Sequence, residues 1–295
     1  MYIDLLGKKR YKVNLHTHTT CSDGGLDPEK VIELYRQNGY DAIALTDHWI
    51  YNASFKDNGM TVLSGVEYNI GINGNNDVYH ILGLGIHAEP AVNKQSSPQE
   101  IIDGIHSAGG VAVLAHPAWS LNTPDQMLSL HGIDAIEIYN SVSGVHNSRR
   151  PDSSVLVDMV ASRGLYLPLI ADDDAHYYDT DTCVSWIMVE AVEPSGQAIL
   201  DAVKNGKFYA TQGPEIHMWV EGDEAVVRCS PVCDIAFFSN CVYCEDRTVR
   251  GSNLKEARYK INKEERFLRC EVIDEDGKRA WTNIVSIKGI SNNGQ

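Results

Sequence analysis

Leu15-His16-Thr17-His18-Thr19-Thr20-Cys21-Ser22-Asp23-Gly24 decides how the rest of the chain is read. It closes an apolar-leaning run, Tyr11 to Leu15. If that run is a strand, His16 and His18 point to the same side, because side chains alternate along a strand. Two imidazoles on one face at a strand end can share a cation. The Cys21-Ser22-Asp23-Gly24-Gly25 turn can then bring Asp23 back to the same spot. A His-x-His pair taken alone is also compatible with two surface histidines, so the meaning of this stretch depends on the residues that the rest of the chain supplies.

Beyond it the chain repeats a pattern. Asp27-Pro28-Glu29 opens a helix that Asn38-Gly39 ends. Short apolar runs over 40–45, 60–66, 78–86, 111–115, 133–138, 165–170 and 183–192 read as strands, with helices expected over 97–106, 124–130, 152–162 and 195–205. Strands alternating with helices predict βα units and a mainly parallel sheet. His48, Glu67, His116, Asn140, Asp174 and His176 follow the C-terminal ends of such runs, and His80 lies near the start of another. In a βα barrel the active site is built at that face. Six or seven such units fit a barrel better than an open sheet, so an α/β barrel is expected over residues 1–212. Past Gly213 helical periodicity stops, and short β runs punctuated by turns predict a small C-terminal antiparallel β-domain, sandwich-like, over residues 213–295.

Bulk properties narrow the function. The 295 residues, 43% hydrophobic, suffice for a sizeable core. A net charge of -15 disfavours nucleic acid as a partner, and no apolar run is long enough to span a bilayer. The N-terminal charges come after the short apolar stretch rather than before it, the reverse of a signal peptide, so a cytoplasmic location is expected. Seven cysteines fit reduced thiols. Cys229, Cys233, Cys241 and Cys244 could hold a structural zinc, although buried or incidental thiols are the preferred reading. Oligomeric state is not legible.

The histidines and carboxylates at strand ends are His16, His18, Asp23, His48, Glu67, His80, His116, Asp174 and His176. A mixed nitrogen and oxygen set suits Zn, Mn or Fe, and nine ligands suit two or three divalent ions with a shared carboxylate. Around them, Asp47 could orient an imidazole or simply stabilise a turn. Asp172 and Asp173 could support the ligands or be loop acids. Arg149 and Arg150 could clamp an anionic small-molecule substrate or be a solvated basic pair. His146 could donate a proton or sit on the surface, and Tyr177 and Tyr178 could line a pocket. His87, His106, His131 and His217 are expected to be structural.

The motifs H-T-H-T-T-C-S-D-G, T-D-H, G-V-E, H-I-L-G-L-G, A-H-P and D-A-H, in that order over residues 11–212, resemble the PHP (polymerase and histidinol phosphatase) superfamily. The segment from Asp152 through Tyr177 and the Asp-Gly-Lys-Arg-Ala-Trp-Thr-Asn tail further resemble the branch that includes carbaryl hydrolases. The resemblance implies a distorted (β/α)7 barrel with one ion on His16, His18, Glu67 and Asp174, a second on Glu67, His80 and His116, and a third on Asp23, His48 and His176. Many superfamily members carry histidine where Asp23 stands; an aspartate there occurs in phosphoesterase-like ones. It implies a metal-dependent hydrolase, foremost a phosphoesterase using a metal-bridging hydroxide, with Glu67, Asp174 and His176 as the catalytic residues. The alternatives are an amide, carbamate or ester hydrolase on the same centre, and a non-catalytic metal-containing binding module. The β-domain could shape the mouth of the site.

Overall fold

The computed structural model describes residues 1–146 and 148–287. The chain begins with β1 (Tyr2–Ile3) and β2 (Lys9–Asn14), then α1 (Pro28–Gln37) and β3 (Ala42–Ala44). Pro28 stands at the first turn of α1, and Val31, Ile32 and Tyr35 bury its apolar face. β4 (Phe55–Asp57) and β5 (Met60–Leu63) form a hairpin; β6 (Gly65–Ile70) and β7 (Tyr79–Leu84) form another. Next come α2 (Pro98–Ser107), capped by reciprocal Ser97 and Glu100 bonds, and β8 (Val111–Leu114). Short helices α3 (Pro117–Ser120) and α4 (Pro124–Ser129) lead to β9 (Ala135–Asn140), then α5 (Val142–Val145), α6 (Ser154–Ala161) and β10 (Leu169–Asp172). β11 (Trp186–Glu190), α7 (Gly196–Lys204) and β12 (Phe208–Thr211) come after them. The rest is β13 (Ile216–Glu221), β14 (Glu224–Phe238), β15 (Thr248–Lys260), β16 (Phe267–Ile273), β17 (Arg279–Trp281) and β18 (Val285–Ser286).

These strands make two sheets. One has five strands in the order β10-β9-β8-β7-β6. The other has 13 strands along the path β13-β14-β16-β17-β12-β11-β2-β3-β5-β4, with β1, β15 and β18 attached at its sides. Two parallel bridges lace the sheets together. Thr17 pairs with Ala175 beyond the ends of β2 and β10, and His48 pairs with Glu67 between β3 and β6. The buried apolar residues of β2, β3 and β6 to β10 fuse with those of α2, α6 and α7 into one core.

The expected mainly parallel arrangement holds for β2–β3, β3–β5, β8–β9 and β9–β10. β6–β7, β7–β8 and β11–β2 are antiparallel. The reason is local: no helix separates β6 from β7 or β10 from β11, and a direct return reverses the strand. The run expected over 60–66 also divides at Ser64, with β5 in one sheet and β6 in the other. The C-terminal strands β13 to β18 pair antiparallel, as expected. They continue the larger sheet, because β17 pairs with β12 on one side and β16 on the other. The sheet therefore runs across the boundary expected at Gly213.

Candidate metal centre

The nine strand-end histidines and carboxylates converge on one cleft of about 250 Å³ or lie directly behind its wall. His16 and His18 come directly after β2 and are fully buried. Their Nε2 atoms lie 3.2 Å apart. Glu67 Oε2 is 3.4 Å from His16 Nε2 and 3.0 Å from His18 Nε2. Asp174 Oδ1 is 3.1 and 3.0 Å from the same two nitrogens. On the far side of Glu67, Oε1 meets His80 Nδ1 at 2.8 Å and His116 Nε2 at 3.3 Å. Asp23 is half-exposed, with carboxylate oxygens 3.5 Å from His18 Nδ1, 3.7 Å from His48 Nε2 and 3.5 Å from His176 Nε2.

Three overlapping groups thus emerge, each with ligand atoms within 4.8 Å of one another: His16, His18, Glu67 and Asp174; Glu67, His80 and His116; and His18, Asp23, His48 and His176. The first has the chemistry of a cation site. His16 Nδ1 lies 2.7 Å from Glu137 Oε1, so the Nδ1–H serves that carboxylate and Nε2 keeps its lone pair. That lone pair, the His18 Nε2 and two carboxylate oxygens then crowd one point. Asp174 Oδ1 and His48 Nδ1 are buried and lack an aligned hydrogen-bond partner among the described residues. Buried polar atoms in such a position call for a cation.

The electrostatics agree. Burial works against the Asp174 carboxylate, but His16, His176 and His18 outweigh it and hold its pKa well below the ordinary range. Glu67 is likewise buried and lowered by His16, His80 and His48. Burial opposes charge on His18, yet Asp174 and Glu67 raise its pKa to about 9. Asp23 obeys the same logic: its burial is outweighed by His176, with His18 and His48 adding to the lowering.

The backbone is shaped to deliver these groups. His116 and Asp174 have φ of 27° and 53°, the left-handed region that non-glycine residues seldom adopt. Gly24 is required by close approach, since a Cβ there would lie 2.4 Å from the His18 carbonyl oxygen. Asp47 makes no direct hydrogen bond to an imidazole among the described residues. It accepts bonds from the Thr19 amide, Thr19 Oγ1, Ser22 Oγ and Asn52 Nδ2, and so pins the turn that carries Asp23. Asp172 accepts from the Leu15 amide. Asp173 accepts from Asn14, Tyr35 and the amides of Cys183, Val184 and Ser185. Both hold the frame beneath the ligands.

The remaining expectations divide. Arg149 and Arg150 are exposed and are not part of the cleft wall, which on that side comes from Val142, Ser143 and His146. His146 and Tyr177 do line it, whereas Tyr178 donates its hydroxyl to the His18 carbonyl. Every residue lining the cleft lies at or before Tyr177, so the C-terminal strands do not shape its mouth among the described residues. His217 bonds Glu215, and His106 bonds Asp134. All seven cysteines are free; Cys229, Cys233 and Cys244 turn to different partners, Leu254, Asp274 and Glu265. Three functional neighbours were not expected from the sequence. Glu137 holds His16 Nδ1 and the His116 amide. Trp119 packs edge-on to His80 and His116. Asp181 accepts the amides of His176, Tyr177 and Tyr178. An acid inside the apolar Ala-Ile-Glu-Ile run was the signal available for Glu137.

No family model matches the chain. The fold is shared with a solved two-domain protein from Bacteroides vulgatus, described as containing a predicted PHP-like metal-dependent phosphoesterase. The match has a TM-score of 0.56 and 17% identity, and covers 97% of this chain and 98% of that one. An uncharacterized protein of Methanocaldococcus jannaschii is 26% identical over 143 residues, which are 44% of this chain and 82% of that protein. A 3',5'-nucleoside bisphosphate phosphatase of Chromobacterium violaceum is 36% identical over 87 residues, 27% of this chain and 30% of the phosphatase.

Proposed function

We propose that the chain is a metal-dependent hydrolase of the PHP superfamily, acting as a phosphoesterase on a small soluble phosphate ester. The observation that carries this is the convergence of His16 Nε2, His18 Nε2, Glu67 Oε2 and Asp174 Oδ1 on one point, with two further groups sharing Glu67 and His18. The shared fold with the Bacteroides vulgatus protein and the partial likeness to the Chromobacterium violaceum phosphatase support the superfamily and phosphoester chemistry. The seven strands β2, β3 and β6 to β10, joined by the two bridges, support reading the frame as a distorted barrel.

In this reading His16, His18, Glu67 and Asp174 hold one divalent ion, Glu67, His80 and His116 a second, and Asp23, His48 and His176 a third. Such ions, when bound, lower the pKa of water and offset charge on phosphoryl oxygens. The chain's own part is to orient the ligands. Glu137 fixes the His16 tautomer, Ser120 Oγ lies 3.3 Å from His116 Nδ1, and the Asp174 carbonyl lies 2.7 Å from His176 Nδ1. Glu67 bridges the first two groups and keeps their spacing. Arg149 and Arg150 have no part in it. The protein should be stripped with chelator, reloaded with Zn, Mn or Fe, and tested for phosphate release and metal content. The double variant His16→Ala, His18→Ala is expected to lose at least one ion per chain and all turnover. Full turnover in that variant would overturn the assignment.

A further inference from the structure

The wall of the cleft that is not built from candidate ligands consists of Trp119, Val142, Ser143, His146 and Tyr177. Among the described residues it contains no lysine, arginine or carboxylate. Histidine is the side-chain type that exchanges protons near neutral pH, and His146 is the one histidine in this wall. It stands outside the three overlapping ligand groups. Its ring stacks on Tyr177 with centroids 3.8 Å apart and planes 27° from parallel. Its Nε2 lies 3.0 Å from Asp179 Oδ1. A ring held by a stack on one side and a carboxylate on the other has a fixed place in the wall. The Asp179 carboxylate takes the Nε2–H, which leaves Nδ1 as the nitrogen that can carry a transferable proton.

We propose, resting on the phosphoesterase reading, that His146 is the general acid for the departing alcohol and that the substrates are phosphate esters of alkyl alcohols. Water adds to phosphorus as the P–O bond to the alcohol breaks, and the bonding pair stays on the alcohol oxygen. The Nδ1 proton of the imidazolium passes to that oxygen, giving a neutral alcohol and inorganic phosphate. Solvent then returns the proton to His146. An alkyl alkoxide is a poor leaving group and needs this proton; a nitrophenolate does not. Asp179 acts as a positioning residue for the ring.

Leaving-group dependence tests the proposal in the metal-loaded full chain. With propyl phosphate, His146→Gln is expected to lower kcat by about 10²-fold, the low end of what general acids contribute. With p-nitrophenyl phosphate the same variant should lose far less. Asp179→Asn should show the same asymmetry, weaker in degree, with a melting temperature close to wild type. Equal losses on both esters, or unchanged turnover of propyl phosphate, would overturn the role of His146 while leaving the phosphoesterase reading in place. A loaded wild-type protein that releases phosphate from neither ester would overturn both.

Discussion

Glu137 sits in the middle of β9 with apolar neighbours and is fully buried. It takes the His16 Nδ1–H with one oxygen, and its other accepts from the His116 amide and Asn140 Nδ2. One carboxylate thus sets the tautomer of one candidate ligand and the backbone of another. Glu137→Gln is expected to weaken binding of the tightest ion about 10- to 100-fold, read by competition against a chromogenic chelator. An unchanged affinity would mean that the imidazole holds its orientation without it. At this scale the candidate ligands could be picked out because few side chains bind divalent ions, and because most of them follow a strand. Their supports were not. The bond from Glu137 crosses from β9 to the segment beyond β2, and sequence spacing carries no trace of it. The left-handed backbone of His116 and Asp174 was equally hidden, since neither residue is glycine.

At the scale of elements, the longer helices α1, α2, α6 and α7 and the short α4 were legible from their starts and stops. Asp27-Pro28, Ser97-Pro98 and Thr123-Pro124 each mark a real beginning. The β6–β7 hairpin misleads because its turn is long and polar, so the two strands look like separate βα units. β14 reads as two strands because Ser230-Pro231 looks like a break. The ladder instead absorbs it, with a register shift between Arg228 and Val232. The segment after β10 is organised by Asp181, fully buried, which gathers three successive amides from His176 to Tyr178. Asp181→Ala leaves those donors without their anion. It should cost about 2–3 kcal/mol in chemical denaturation. It should also lower occupancy of the Asp23, His48 and His176 group before the others, as elemental analysis would show.

For the whole molecule, the joined sheet makes a prediction that a two-domain reading would not. Trp281 of β17 is fully buried in the main core, with its ring 5.3 Å from that of Tyr139. Truncation after Gly213 removes that ring and leaves β12 without its β17 partner. The fragment is expected to be insoluble or to lack a cooperative melt, while the full chain melts in one transition by calorimetry. A soluble, cooperatively melting fragment would contradict this. The other end is tied in as well. Tyr2 Oη donates to Glu215 at 2.6 Å, the Leu5 amide donates to its other oxygen, and His217 Nε2 lies 2.6 Å away. Burial favours the neutral Glu215 carboxyl, but His217, Tyr2 and the Leu5 amide outweigh it and lower its pKa. A depressed carboxylate stabilises the fold above the unfolded chain's titration and loses that contribution as pH falls toward the folded value. Glu215→Gln should therefore cost about 1–3 kcal/mol at neutral pH. Its difference from wild type should shrink in acid, below the ordinary glutamate range, when denaturation is monitored across pH.

The two bridges between the sheets have a kinetic consequence. The amides of His18 and Asp174 close one seam, donating to the carbonyls of Ala175 and His16, and those of Trp49 and Glu67 close the other, donating to the carbonyls of Glu67 and Asp47. Candidate ligands therefore supply the stitches as well as the cation sites. Solvent deuterium can reach these four amides only when a seam parts, and a parted seam pulls ligands away from their shared point. If the centre takes cations as proposed, loading them is expected to slow exchange at both seams together.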